Sequence, residues 1–243
     1  MKKVIAYSLW GSESFYNYGA LENALIAEEI YPGWICRFYC ANNCDPVIIK
    51  ELEKRNNVEV VKVDSNENKA INMFWRFIPA FEDDVDVMIS RDTDSILSMR
   101  EKLAVDEWLN TPDKDFHIMR DHPKGHSLKI MGGMWGCRNG IIKHLKSEFE
   151  EFMEVHKNKG RSIDQTFMVN KVYPIVVDKA VIHAQYFKFE GSDVCKDFPD
   201  GLDYRGGYKG LIGFVGEQNH YTPRVFKQIF GEVERRHKRN PLY

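Results

Sequence analysis

The chain has almost no net charge: 34 Lys and Arg stand against 36 Asp and Glu among its 243 residues, giving a formal charge of -2. Because positive and negative charges are nearly equal in number, the chain has no overall positive field to attract a nucleic acid, and we expect no nucleic-acid partner. The basic cluster at residues 235–239 is local. It is typical of a solvated helix end rather than of a membrane or phosphate contact.

Long apolar runs are missing as well, since the N-terminus passes directly into a short β-prone segment. We therefore expect no signal peptide and no transmembrane segment. The five cysteines form an odd set, and the spacing of Cys36, Cys40 and Cys44 matches no usual zinc signature. These features predict reduced, buried thiols in a cytoplasmic protein.

The composition and length of the chain are those of a globular protein. Hydrophobic residues make up 43% of the chain, enough for a sizeable core, and no repeat or low-complexity segment is visible. A length of 243 residues fits one large α/β domain or two small ones, and one domain is the simpler interpretation. The oligomeric state is open.

Strand-like and helix-like segments alternate through the first half of the chain. The predicted strands are Val4–Leu9, Trp34–Ala41, Val58–Val63 and Val85–Ile89. The first predicted helix follows a loop that contains Gly11, Ser12, Asn17 and Gly19. The second spans Pro46–Asn56, and the third starts at Asn68 and is kinked or ended by Pro79. Such alternation predicts a parallel, doubly wound sheet.

The second half is less regular. Its predicted strands are Phe116–Arg120, Val176–His183 and, as a candidate for the last one, Leu211–Val215. Its predicted helices run through residues 142–152 and 163–172. Residues 128–131 and 134–137 flank Gly132 and Gly133, which would let the backbone approach a ligand closely or would form a bulge.

The most informative segment, Arg91-Asp92-Thr93-Asp94-Ser95, follows the fourth predicted strand. Ligands collect where the strands of an α/β sheet end, so we expect Asp92 and Asp94 in a cleft. Carboxylate oxygens suit Mg²⁺ and Mn²⁺, which take further ligands from water and substrate phosphates. A turn whose Asp and Ser side chains bond the local backbone is the alternative. Arg76, on the preceding helix, is placed either to reach a diphosphate or to form a surface ion pair.

Six segments stand in an ordered series along the chain. They are Ser90-Arg91-Asp92-Thr93-Asp94-Ser95, Arg120-Asp121-His122-Pro123 with His126, Ile130-Met131-Gly132-Gly133-Met134-Trp135-Gly136, Asp164-Gln165-Thr166-Phe167, Val181-Ile182-His183 and Phe214-Val215-Gly216-Glu217. The series resembles glycosyltransferases of the GT-A fold, most closely the small bacterial and large-DNA-virus (chlorovirus-like) members. The resemblance extends from Lys3 to about Tyr221, and an ordered series is more specific than any one segment.

The resemblance implies a single GT-A (Rossmann-like) α/β domain over residues 1–243, with a mixed, mainly parallel central sheet flanked by helices. Residues 1–95 would form the nucleotide-binding half, residues 96–225 the sugar and acceptor half, and residues 226–243 a basic tail. The implied activity is metal-dependent transfer of a hexosyl or pentosyl group from a nucleoside diphosphate sugar, UDP before GDP, to a hydroxyl of a glycan or another acceptor. For a viral member the compartment would be the host-cell cytoplasm.

In such enzymes the Asp-x-Asp motif holds Mn²⁺ or Mg²⁺ against the donor. The resemblance therefore implies that Asp94 is a direct metal ligand, and that Asp92 either ligates the metal or contacts the ribose and a metal-bound water. His183 is the expected third ligand, with His220 as its rival; a satisfied core or surface histidine is the alternative for His183. After His183 this chain continues Ala-Gln, whereas related sequences often have an acid there, which weakens the case for a late-strand metal site.

The remaining site residues implied by the resemblance fall into three groups. Those that bind the donor nucleotide are Tyr7, Ser8, Leu9, Asp64, Arg76, Arg91 and Thr93. Those beside the sugar or acceptor are Gly133 and Trp135, and those with catalytic roles around the transferred sugar are Asp121, Asp164 and Gln165. Some have structural alternatives: core packing for Tyr7 and Trp135, a helix cap for Asp64, and a helix start for Asp164.

The stereochemical course is open from these residues. An inverting enzyme would use Asp121 as its base, whereas a retaining one would use Asp164 or Gln165, and family analogy favours retention. Trp135 and the loop from Trp10 to Tyr18 are expected to shield the site from water.

Two other functions fit parts of the sequence. A haloacid-dehalogenase-type phosphatase also has an Asp-x-Asp motif, but that family has Thr or Val where this chain has Ile96, and its motif normally lies on the first strand. A non-catalytic sugar-nucleotide-binding protein would keep the fold without turnover.

Overall fold

The computed structural model describes residues 1–199, except 66, 68 and 161, together with residues 211 and 212. His220, the segment Phe214-Val215-Gly216-Glu217 and the basic tail lie outside the described residues. The expected last strand, Leu211–Val215, lies mostly outside them, and its two described residues are not in a strand.

Strands and helices alternate in the part of the chain that is described. The strands are β1 Lys3–Leu9, β2 Trp34–Ala41, β3 Val58–Val63, β4 Val87–Ser90, β5 Phe116–Arg120, β6 Trp135–Arg138 and β7 Ala180–Ala184. The α-helices are α1 Ser14–Ile30, α2 Pro46–Glu53, α3 Met99–Asn110, α4 Lys146–His156, α5 Ile163–Phe167 and α6 Tyr173–Val176. A long 3₁₀-helix covers Ala70–Phe81, shorter ones cover Lys143–Leu145 and Val177–Lys179, and Met168–Val172 is a π-helical turn.

The strands form one seven-stranded sheet in the order β3-β2-β1-β4-β6-β5-β7. β1 pairs in parallel with β2 and β4, as does β2 with β3 and β5 with β7, while β6 is antiparallel to both of its neighbours. Within the described chain, β6 alone therefore runs against the others. The expected mixed, mainly parallel α/β sheet is confirmed, and the pairing of β4 with β6 makes it continuous across the predicted boundary at residue 95.

Both faces of the sheet are buried. Side chains alternate across β1, so Val4 and Ala6 pack on one face while Ile5 and Tyr7 pack on the other. The first face is covered by apolar residues of the 70–81 helix, α4 and α5, and the second by those of α1, α2 and α3. Helices on both faces are typical of doubly wound α/β proteins, in which ligands bind at a sheet edge rather than on a face.

Several predicted elements differ in detail. The sequence predicts Asn17 and Gly19 in a loop, but α1 begins at Ser14. The side-chain amide of Asn17 donates to the backbone carbonyls of Gly11 and Glu13, both at 2.9 Å, and so holds the first turn of the helix. The 70–81 segment is 3₁₀ rather than α-helical and continues two residues past Pro79. An apolar spacing of three residues fits either helix type, so the pattern did not separate them.

The described chain contains no helix both long and apolar enough to cross a membrane. All five cysteines are buried and free, as expected for thiols that pack as small apolar groups.

Candidate active site

The cleft lies where the strand order reverses. β2 flanks β1 on one side and β4 flanks it on the other, so the loops that leave β1 and β4 separate and open a crevice at the carboxyl edge. A cavity of about 880 Å³ occupies this position. It is lined by residues 8–13 and 16, by parts of 69–76, by residues 92–94, and by parts of 158–165. Its volume suits a ligand of small-molecule size.

Helix α1 anchors the loop that carries the two acids. The Asn23 side chain donates to the carbonyl of Thr93 at 3.2 Å and accepts from the Leu97 amide at 2.9 Å. A Cβ atom on Gly19 would clash with the same Thr93 carbonyl, so the loop approaches the helix closely because that position is glycine. Asp92, Thr93 and Asp94 are thereby held against the cavity.

The two carboxylates influence each other electrostatically. Burial raises the pKa of Asp94 to about 7, and the nearby charge of Asp92 adds to the shift. A divalent cation beside both groups would favour their ionised forms. No cluster of three or more His, Cys, Asp or Glu side chains suited to a metal occurs among the described residues. A donor set of two carboxylates fits Mg²⁺ or Mn²⁺, with water and substrate oxygens completing the shell, better than it fits zinc.

Arg76 lies between this pair and a third acid. Its Nη1 donates to Asp92 Oδ1, and its Nη2 donates to Asp164 Oδ2 at 2.9 Å. The Ser8 hydroxyl accepts from the Arg76 backbone amide at 3.0 Å and donates to the Met73 carbonyl at 3.3 Å, which fixes the 70–81 helix to the end of β1. Burial opposes the charge of Arg76, but the two carboxylates outweigh that effect and raise its pKa.

Asp164 and Gln165, in the first turn of α5, also line the cavity. Asp164 is 1% exposed; burial raises its pKa, and Asp92 adds to the shift while Arg76 opposes it. Its Oδ1 atom is buried and has no hydrogen-bond partner among the described residues. Buried acceptors are nearly always satisfied, so this atom marks a polar position in the wall beside the cavity.

The structure brings together most of the expected donor residues but not all. Ser8, Leu9, Arg76, Asp92 and Thr93 line the cavity. Gly133 lies against the Asp92 carboxylate, where a Cβ atom would clash with Oδ2.

Tyr7 and Asp64 do not line the cavity. Tyr7 is fully buried and stacks on Phe38, with 4.7 Å between ring centroids, because alternation along β1 turns it into the core. Asp64 is exposed after β3 and accepts from Asn42 Nδ2 at 2.7 Å. The structure therefore does not bring these two side chains to the cavity where base and ribose contacts were expected.

Arg91 and Trp135 are core residues. The Arg91 Nε donates to Glu101 Oε1 at 2.7 Å, and both side chains are only 1% exposed. Trp135 is fully buried, stacked on Phe116 and edge-on to Phe77. The predicted diphosphate contact of Arg91 and the predicted covering role of Trp135 are both corrected, since neither side chain reaches the cavity.

Asp121 and His183 are also held away from the cavity. Asp121 is fully buried and receives two hydrogen bonds from Arg100, at 2.8 and 2.9 Å. His183 is fully buried between His117 and Glu107, with both ring nitrogens in contact with them. The structure therefore does not bring His183 to Asp92 and Asp94 as a third ligand, nor Asp121 to the sugar as a base.

Sequence reasoning missed part of the wall. Lys69, Asn158, Lys159 and Ser162 line the cavity, yet none belongs to a recognisable motif. In the sequence, only neighbouring site residues could have indicated them: Lys69 directly precedes the helix that carries Arg76, and Ser162 lies two residues before Asp164. Ser162 has a left-handed backbone, with φ 70°, at the start of α5. The expected covering loop contributes residues 10–13 and Tyr16 to the lining of the cavity.

No protein-family model matches the chain. No curated protein matches its sequence either.

Comparison with solved structures returns glycosyltransferases. A glycosyltransferase involved in glycosylation of the major capsid of PBCV-1 is 14% identical, with 76% of this chain and 82% of that chain covered and a TM-score of 0.49. The mannosyltransferase PcManGT from Pyrobaculum calidifontis, in complex with GDP-Man and Mn²⁺, is 14% identical, with coverage of 59% and 46% and a TM-score of 0.45. The glycosyltransferase GlyE of Streptococcus pneumoniae is 11% identical, with coverage of 74% and 44% and a TM-score of 0.46.

The structure thus resembles solved glycosyltransferases. The chain spans less than half the length of the mannosyltransferase and of GlyE. Because these TM-scores are below 0.5, we base the function on the cleft of this chain and not on its neighbours.

Proposed function

We propose that the protein is a metal-dependent glycosyltransferase that moves a sugar from a nucleoside diphosphate sugar to a hydroxyl of a glycan or another acceptor. UDP sugars are the first choice of donor and GDP sugars the second. The observation that carries the proposal is the shared cavity of Asp92, Asp94 and Asp164, at the point where the strand order reverses. Two acids for a cation and a third, buried acid, with one oxygen that has no partner among the described residues, fit a ligand that has both a diphosphate and hydroxyl groups.

The residues of the cleft have distinct roles in this proposal. Asp92 and Asp94 would hold Mn²⁺ or Mg²⁺, which when bound stabilises the negative charge of the leaving diphosphate. Asp164 and Gln165 orient the sugar through its hydroxyls. The residues 10–13 and Tyr16 exclude water, so that an acceptor hydroxyl reacts in place of a water molecule.

The reaction exchanges one bond for another at the anomeric carbon. The bond from that carbon to the diphosphate oxygen breaks, a bond to the acceptor oxygen forms, and the acceptor proton is released. Retention of configuration is our proposal, with Asp164 or Gln165 on the sugar face, because the base expected for inversion, Asp121, is paired with Arg100 in the interior. NMR of the product gives the anomeric configuration, and an inverted product would overturn this assignment.

The function is tested by incubating the protein with a panel of UDP and GDP sugars, with Mn²⁺ or with EDTA, and measuring nucleoside diphosphate release. We expect release from one donor only with metal, and its loss in Asp92→Asn and Asp94→Asn. Phosphate release from simple phosphomonoesters, abolished by Asp92→Asn, would instead support the phosphatase. Tight, metal-dependent binding of a sugar nucleotide without any turnover would support a non-catalytic binding protein.

A further inference from the structure

The contacts of Arg76 give it a role beyond that of a positive charge in the cleft. We propose that Arg76 is a positioning residue that couples the diphosphate end of the cleft to its sugar end, by holding Asp92 and Asp164 in one fixed arrangement. This inference rests on the proposed function, because it assigns the two acids to the two ends of one donor.

The guanidinium bridges the two acids through different nitrogens. Nη1 binds Asp92 and Nη2 binds Asp164, and the Arg76 side chain is only 5% exposed. A planar guanidinium holds two carboxylates at a set angle, which a lysine ammonium on a flexible stem does not. A shift of Asp164 therefore moves Arg76 and, through it, Asp92.

Two glycines leave space for this bridge. A Cβ atom on Gly132 would clash with Asp164 Oδ2 and would lie 2.7 Å from Arg76 Nη2. A Cβ atom on Gly133 would clash with Asp92 Oδ2. The Ser90 hydroxyl donates to the Gly132 carbonyl at 2.8 Å, which fixes this backbone to the end of β4. The glycine pair thus forms a wall that confines all three side chains.

The bridge differs from the surface ion pairs of this chain in its burial. Asp164 is 2% exposed at its side chain, and Asp92 is 42% exposed towards the cavity. The buried end is therefore fixed, and the cavity end is the part that meets a ligand. Residues in one buried ion-pair network are expected to show energetic coupling, whereas distant residues are not.

The test uses a nucleoside diphosphate without the transferred sugar, so that the sugar hydroxyls assigned to Asp164 are absent from the ligand. Calorimetry gives the dissociation constant of UDP or GDP in the presence of Mn²⁺ for wild type, Arg76→Lys, Gly132→Ala, Asp164→Ala, Arg76→Gln and the double variant Arg76→Gln with Asp164→Ala. Arg55→Lys is the control, because Arg55 forms one ion pair with Glu28 outside the cavity. Circular dichroism and the melting temperature establish that each variant is folded.

We expect Arg76→Lys, Gly132→Ala and Asp164→Ala each to weaken binding about tenfold, and Asp164→Ala to add less than about twofold once Arg76 is Gln. Arg55→Lys should bind as wild type does. If folded Arg76→Lys and Gly132→Ala bind as wild type does, or if Asp164→Ala has its full effect without Arg76, the positioning role is wrong and the proposed function still stands. If wild type binds neither nucleotide with Mn²⁺, the proposed function fails, and the inference fails with it.

Discussion

The ring of His183 on β7 hydrogen-bonds the ring of His117 on β5, with 2.9 Å between Nδ1 and Nε2. The other nitrogen of His183 lies 3.3 Å from Glu107 Oε2, and Lys196 lies 2.5 Å from the same carboxylate. Burial lowers the pKa of both histidines, so both rings are neutral near pH 7. His183 then donates to Glu107 and accepts from His117, which satisfies both of its nitrogens.

Replacing His183 with Ala should therefore act on stability and not on the metal. We expect the free energy of unfolding to fall by about 1–3 kcal/mol, because Glu107 and the buried His117 each lose a partner. Metal-dependent nucleotide binding should be unchanged. Chemical denaturation and calorimetry measure the two effects, and a loss of Mn²⁺-dependent binding at normal stability would restore His183 as a ligand.

Asp121 is a second residue that should contribute to stability and not to donor binding. It receives both hydrogen bonds of the Arg100 fork and one from the Ile212 amide at 3.0 Å. Asp121→Ala would remove a buried carboxylate that receives two hydrogen bonds from the buried Arg100 guanidinium, and breaking such a pair destabilises by about 3–5 kcal/mol. The fraction of the variant that stays folded should still bind donor. A normal melting temperature with abolished turnover would show instead that Asp121 is a catalytic base.

Glu22 on α1 should make stability depend on pH. It is 8% exposed, its Oε2 atom has no partner among the described residues, and burial raises its pKa to about 7. The unfolded carboxyl titrates at about pH 4, so between pH 4 and the folded-state pKa the folded state holds more protons. This contribution to stability is complete below about pH 4 and is lost as the pH rises to about 7.

Denaturation at pH 5 and pH 8 measures this dependence. Wild type should lose more stability between the two values than Glu22→Gln, whose amide does not titrate. Equal losses in the two proteins would show that Glu22 keeps an ordinary pKa in the fold.

Trp135 is expected to contribute to the core and not to sugar binding. Its ring stacks on Phe116 at 5.4 Å between centroids and meets Phe77 at 5.3 Å. Trp135→Ala should lower the free energy of unfolding by about 3–5 kcal/mol, whereas Trp135→Phe should retain most of the stability. Donor affinity should be similar in wild type and Trp135→Phe. A large loss of affinity in stable Trp135→Phe would place this side chain at the ligand after all.

The sequence predicts best what depends on local pattern. The apolar runs of β1, β2 and β3 lie as predicted, and the acids that directly follow β4 line the cleft because a strand end is itself a local feature. The direction in which a side chain points depends on tertiary contacts as well as on the local sequence. Arg91 and Asp92 are neighbours in the chain, yet Arg91 turns inward to Glu101 while Asp92 lines the cavity.

Long-range pairing explains the other differences. His117 and His183 are 66 residues apart, and only the pairing of β5 with β7 brings their rings together. Likewise, Arg76 and Asp164 are 88 residues apart, so no spacing in the sequence indicated their bridge. The order of the motifs located the acids of the cleft, but it did not show which polar side chains would be buried in the core.

The most direct test of the central claim is a Mn²⁺ titration in the presence of UDP or GDP, followed through the electron paramagnetic resonance signal of the free ion. Our account predicts saturable uptake of Mn²⁺ by wild type, and loss of that uptake in folded Asp94→Asn and Asp92→Asn. Equal uptake by wild type and both variants, or no uptake by wild type with either nucleotide, would contradict a cation site at Asp92 and Asp94.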